Sequence, residues 1–78
     1  MSHLPLIGIT MGDPAGIGPE ITVRALGDEE IYKVCRPIVL GDMEVLSSTV
    51  SSMKAQLRMS PILTPFQAAG IPGTIDIM

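Results

Sequence analysis

Hydrophobic and polar positions alternate along this chain in blocks whose spacing switches between that of a strand and that of a helix. Residues 4–10 form a short, β-branched, almost continuous apolar run ended by Met11-Gly12-Asp13-Pro14, the pattern of a strand covered on both faces. A loop is expected over 12–18 and a helix over 18–26. Pro19 suits a first helical turn, where its missing N–H costs nothing, and Glu20 suits the positive end of the helix dipole. Ile17, Ile21 and Ala25 share one side of that helix, as do Val23 and Leu26, and Gly27 is a natural stop. Residues 28–34 read as a short helical turn.

Residues 36–41 hold Pro37-Ile38-Val39-Leu40, a second buried strand with proline at its tolerated first position. Asp42 is a good N-cap. Leu46, Val50, Met53 and Leu57 follow at helical spacing, the inward stripe of an amphipathic helix, opposite Ser47, Ser48, Ser51 and Lys54. A third strand is expected over 59–63, a Pro/Gly-rich loop over 64–73, and a fourth strand from Thr74 onward. Met43, Met53 and Met59 read as core filler. Strand–helix alternation of this kind predicts an α/β fold built from parallel βαβ units, in a single domain over 1–78 with no internal boundary. Parallel sheets require cover on both faces, and two helices are too few for four strands. The pattern therefore points to a fragment of a larger layered sheet.

Composition sharpens that view. The 78 residues are 46% hydrophobic and 17% charged, with no Trp, one Tyr, one Phe and one Cys. Disorder needs the opposite balance. A small independent domain usually carries disulfides or metal, yet Cys35 is alone and His3 is the sole histidine. Cys35 reads as a packing cysteine and His3 as a solvent-exposed side chain, so no metal site and no catalytic residue is assigned. Net charge is −3 and the five basic residues are dispersed, which argues against a nucleic-acid partner. No apolar run approaches a membrane span and the first residues lack a signal peptide's features. The expectation is a cytoplasmic protein with a free thiol.

The candidate chemistry lies in Ile9-Thr10-Met11-Gly12-Asp13-Pro14-Ala15-Gly16-Ile17-Gly18-Pro19-Glu20-Ile21. Ligands of open α/β sheets bind beyond the carboxyl ends of strands, and free N–H groups at a helix start attract anions. Gly16-Ile17-Gly18 lacks the third glycine of a dinucleotide fingerprint, since residue 21 is Ile, and no Lys-Ser/Thr of a P-loop follows. Asp13-Pro14-Ala15-Gly16 also matches a type I turn. Gly12, Asp13, Gly16 and Gly18 are the candidate cofactor-facing residues, with Asp13 divided between turn former and cleft residue.

As a whole, the string from Ile9 to Glu20 resembles the opening signature of the 4-hydroxythreonine-4-phosphate dehydrogenase family. It is also similar to the corresponding loop of isocitrate and isopropylmalate dehydrogenases, which share that fold. Val39-Leu40-Gly41-Asp42 and the Pro72-Gly73-Thr74-Ile75-Asp76 run agree with the resemblance. It implies the amino-terminal part of a homodimeric two-domain enzyme. Such an enzyme uses NAD to oxidise the hydroxyl of a phosphorylated hydroxyamino acid, with decarboxylation to follow, on the route to pyridoxal phosphate. The resemblance also implies a divalent metal held by three histidines, which this sequence cannot supply, so the chain alone is expected to be inactive. Close relatives acting on D-threonate or D-erythronate 4-phosphate share the loop. A small nucleotide- or anion-binding module and a piece that folds only against a partner are the readings from other classes.

Overall fold

The structure, a computed structural model, describes residues 4–11 and 18–78. Four strands occur: β1 (Leu6–Thr10), β2 (Arg36–Leu40), β3 (Arg58–Pro61) and β4 (Thr74–Ile77). They form one sheet in the order β1-β2-β4-β3, and every pairing is parallel. Two α-helices, α1 (Pro19–Leu26) and α2 (Met43–Ser52), alternate with them, and 3-10 turns cover Glu29–Lys33 and Pro65–Gln67. The parallel α/β architecture is the one expected from the sequence.

Local signals fix most element ends. Gly18 is the N-cap of α1 and Pro19 opens it; Glu20 lies in the first turn and Arg24 in the last, both complementary to the helix dipole. Asp42 caps α2, its carboxylate accepting the N–H groups of Glu44 at 2.8 Å and Val45 at 3.2 Å. The Asp28 side chain caps the first 3-10 turn through the N–H of Glu30.

Helix α2 is shorter than its apolar stripe. It ends at Ser52, and Leu57 lies beyond it while still packing against the core. Lys54 takes a left-handed φ of 54°. The Lys54 N–H bonds to the Ser51 carbonyl and the Ala55 N–H reaches back to that of Val50, the paired bonds of a Schellman stop with lysine in the usual glycine place. The third strand occupies Arg58–Pro61 rather than 59–63. The Ile62 N–H bond to the Ile77 carbonyl, at the start of the next connection, is the last of its ladder. That connection, expected as plain loop, includes the Pro65–Gln67 turn, where the Gln67 side chain accepts the N–H groups of Leu63 and Thr64.

The two sheet faces differ. Val39, Ile75 and Ile77 join Val23 and Leu26 of α1, Tyr32, and Leu46 and Val50 of α2 in one buried cluster, so both helices lie on the same face. Alternation along the strands puts Gly8, Ile38, Ser60 and Asp76, which are register partners, on the other face. That second face is crossed by the β3–β4 connection, whose Ala69 and Gly70 N–H groups bond to the Asp76 carboxylate. Ile38 and Asp76 are buried beneath it.

Two core expectations are corrected. β1 was expected to be covered on both faces, but Ile7 and Gly8 are exposed: β1 lies at an edge of the sheet, with Ile9 packed against the core cluster. Met43 is exposed: it is the first residue of α2 and points away from the sheet, beside Glu44, Ser47, Ser48 and Ser51. Met53 and Met59 do pack on the core, and Cys35 is buried with its thiol against the Ile31 carbonyl at 3.5 Å.

Candidate functional site

Because all four strands are parallel, their carboxyl ends share one edge of the sheet. Thr10, Leu40, Ile77 and Pro61 end there. Both helices begin on that side, since each directly follows a strand's carboxyl end: β1 leads through residues 11–18 to α1, and β2 through Gly41 and Asp42 to α2. Open parallel sheets receive ligands along such an edge.

The strand ends are tied together by backbone bonds. Met11 donates to the Leu40 carbonyl at 3.3 Å, Met78 to Val39 at 2.9 Å, and Gly41 to Met78 at 3.4 Å. A Cβ on Gly41 would come within 2.5 Å of the Met11 Cγ. A side chain at residue 41 would therefore have to displace the Met11 side chain where the first two strand exits pass each other.

Of the four candidate residues, Gly12, Asp13 and Gly16 lie outside the described residues, as does the turn proposed for Asp13-Pro14-Ala15-Gly16. Gly18 is described. It is extended at the head of α1, and among the described residues no side chain caps the helix there and nothing lies within 4 Å of where its Cβ would be. Its carbonyl accepts both the Thr22 N–H and the Thr22 hydroxyl at 3.1 Å, and Thr22 is buried. These bonds anchor the first turn.

The charged groups near this edge are committed or dispersed. Asp42 is occupied by its capping bonds. Among the described residues no three His, Cys, Asp or Glu side chains gather as a metal site would require, and the one ion pair, Lys33 with Glu30, is exposed and distant in the chain. The depression lined by Met43, Glu44, Ser47, Ser48 and Ser51 runs along the outward side of α2 and offers a single charged group. Among the described residues the acids on this side are Asp42, bound as a cap, and Glu20 and Glu44 in the first turns of α1 and α2, and they do not gather into a cluster.

Two polar residues with a structural role were not singled out from the sequence. Tyr32 is buried in the main cluster and its hydroxyl donates to the Thr74 carbonyl at 2.9 Å. Burial, followed by the nearby Asp76 carboxylate and the Cys35 thiol, pushes its pKa up to about 12. Asp76 is 2% exposed on the second face. Its signal was an acid between two isoleucines in a four-residue strand, where a charge is out of place unless something bonds to it.

No family model matches the chain. Individual proteins do. It is 49% identical over 74 residues to the 4-hydroxythreonine-4-phosphate dehydrogenase of Desulforapulum autotrophicum, covering 95% of this chain and 22% of that protein. It is 45% identical over 78 residues to a Symbiobacterium thermophilum protein provisionally named D-threonate 4-phosphate dehydrogenase, covering 100% of this chain and 23% of that one. The crystal structure of a 4-hydroxythreonine-4-phosphate dehydrogenase from Burkholderia phymatum superposes with a TM-score of 0.87 at 38% identity, over 99% of this chain and 23% of that chain. The chain thus spans about a quarter of the length of the relatives it matches. Among the described residues no helix is long and apolar enough to cross a membrane.

Proposed function

We propose that this chain, homologous over its whole length to 4-hydroxythreonine-4-phosphate and D-threonate 4-phosphate dehydrogenases, is the part of such an enzyme that builds one wall of the active cleft. The observation that carries the reading is the coincidence of two things. The string from Ile9 to Glu20 that resembles the family's opening signature runs from β1 to α1, and the chain leaves the sheet there at its carboxyl edge. Gly12, Asp13, Gly16 and Gly18 are the residues we assign to the cofactor-facing loop. NAD, when bound, accepts the hydride. Among the described residues nothing crowds Gly18 at the start of α1, which suits close approach of a ligand. The described residues do not fit a metal, so the divalent cation implied by the family resemblance would be held by residues outside this chain.

The reaction read from the resemblance is oxidation of a secondary hydroxyl in a phosphorylated four-carbon acid, with loss of carbon dioxide from the β-keto product. The chain's own part is to hold the loop, through the Thr22–Gly18 bonds and the Gly41–Met11 contact, while proton and hydride chemistry is done by groups it lacks. The complete enzyme would act as a cytoplasmic homodimer in pyridoxal phosphate synthesis. A second reading, D-threonate 4-phosphate as substrate, is favoured by matches of 45% and 47% over all 78 residues of this chain to proteins provisionally so named, of which it covers 23%.

The test is a side-by-side assay of the complete polypeptide carrying this segment, with NAD, on 4-hydroxythreonine 4-phosphate and D-threonate 4-phosphate. Turnover of the first alone supports the pyridoxal reading and turnover of the second alone the alternative. Turnover of neither would overturn the dehydrogenase proposal.

A further inference from the structure

The β3–β4 connection covers the second face of the sheet in an unusual way. A covering segment ordinarily turns its large apolar side chains inward. Here Leu63 is 85% exposed and Phe66 89%, and Ile71 also faces solvent. What holds the segment down is small or polar. Ala68 buries its methyl group. Gly70, at a φ of +65°, lies so close over Arg36 that a Cβ would meet the Arg36 Cγ at 2.6 Å. The Asp76 carboxylate, from the strand beneath, accepts the N–H groups of Ala69 at 3.1 Å and Gly70 at 3.3 Å through one oxygen. At the segment's two ends, Ile62 bonds to Ile77 and Thr74 to Ile71. Little apolar area is lost to water when such a segment lifts, and segments with few buried apolar contacts open below the global unfolding free energy.

We propose that residues 62–73 are a strap that opens as a unit over the second face while the helix-covered core stays folded, and that Asp76 is its latch. The ends stay fixed by their backbone bonds. The middle is released when Ala69 and Gly70 leave the carboxylate, which uncovers Ile38 and Asp76. Asp76 is one residue from the end of β4, so opening exposes the sheet immediately beside the carboxyl edge. Asp76 is in this sense a positioning residue for the strap.

Residue-resolved amide exchange on the 78-residue chain tests this. In the parent chain, Ala69 and Gly70 should exchange faster than the amides of α2 and of the β2–β4 pairing. In Asp76→Ala, those two amides should exchange about tenfold faster still, the scale of losing bonds to a charged acceptor, with α2 unchanged. Asp76→Asn keeps an acceptor oxygen and should stay close to the parent. The proposal is overturned if Ala69 and Gly70 are protected as strongly as α2. It is equally overturned if Asp76→Ala leaves their rates unchanged, or if it strips protection from every element alike.

Discussion

The two faces of this sheet are covered by opposite physical means. On one, α1 and α2 press Val23, Leu26, Leu46 and Val50 onto Val39, Ile75 and Ile77. The other is crossed by a connection whose large side chains face water and whose hold is a carboxylate, two N–H groups and a methyl. Apolar burial supplies most of a fold's cohesion, so stability should concentrate on the helix side. The second face shows how a segment can be well placed yet weakly held, because hydrogen bonds fix position while contributing little net free energy.

The largest effect that would separate the faces is a pair of truncations. Leu46→Ala removes a side chain with no exposure and should cost about 3 kcal/mol in denaturant unfolding, the usual range for a buried leucine. Phe66→Ala, equally drastic on paper, should change stability by less than about 0.5 kcal/mol. Comparable losses from the two variants would erase the distinction between the faces.

Next comes alkaline pH. Tyr32 has its pKa pushed up to about 12 by burial, Asp76 and Cys35, against about 10 in an unfolded chain. Below pH 10 both states keep the proton and the full contribution stands. Between about pH 10 and 12 the unfolded chain ionises first, so stability falls by up to roughly 2–3 kcal/mol. Unfolding curves collected across that window should show the fall in the parent chain and flatten in Tyr32→Phe. An equally steep fall in the variant would place the cause in another group.

A smaller effect sharpens the helix side. Asp42→Ala removes the two capping bonds to Glu44 and Val45 and should lower the midpoint by about 1 kcal/mol. Asp42→Asn should recover most of it.

Much of this arrangement is legible in the sequence because it is local. Pro19, Pro37 and Asp42 mark element starts whatever surrounds them, and Leu46 and Val50 carry the helical period that buries them. Three features were not legible, for one reason. Met43 is apolar but leads a helix on its solvent side. Leu57 keeps the period after Lys54 has already turned the chain. Asp76 looks misplaced until the preceding connection delivers two donors to it, from six and seven residues upstream. Each depends on how the chain turns outside the window that carries the pattern, and the strand order β1-β2-β4-β3 is likewise not encoded in any one window. The candidate site divides in the same way. The crossing from β1 to α1 is readable as strand, glycine and helix start, and Gly18 stands where that reading put it. What the crossing serves is readable only through its likeness to a family, since the glycines and prolines of the string from Thr10 to Glu20 do not by themselves name a ligand.

That division is also the core of the functional account, and one assay addresses it directly. The 78-residue chain is mixed with NAD, a divalent cation and each phosphorylated substrate, and NADH formation is followed against a blank and against the complete polypeptide. The account predicts no rate above the blank for the chain and turnover by the complete polypeptide. Turnover by the chain alone would contradict it, because the reacting groups would then have to lie within these residues.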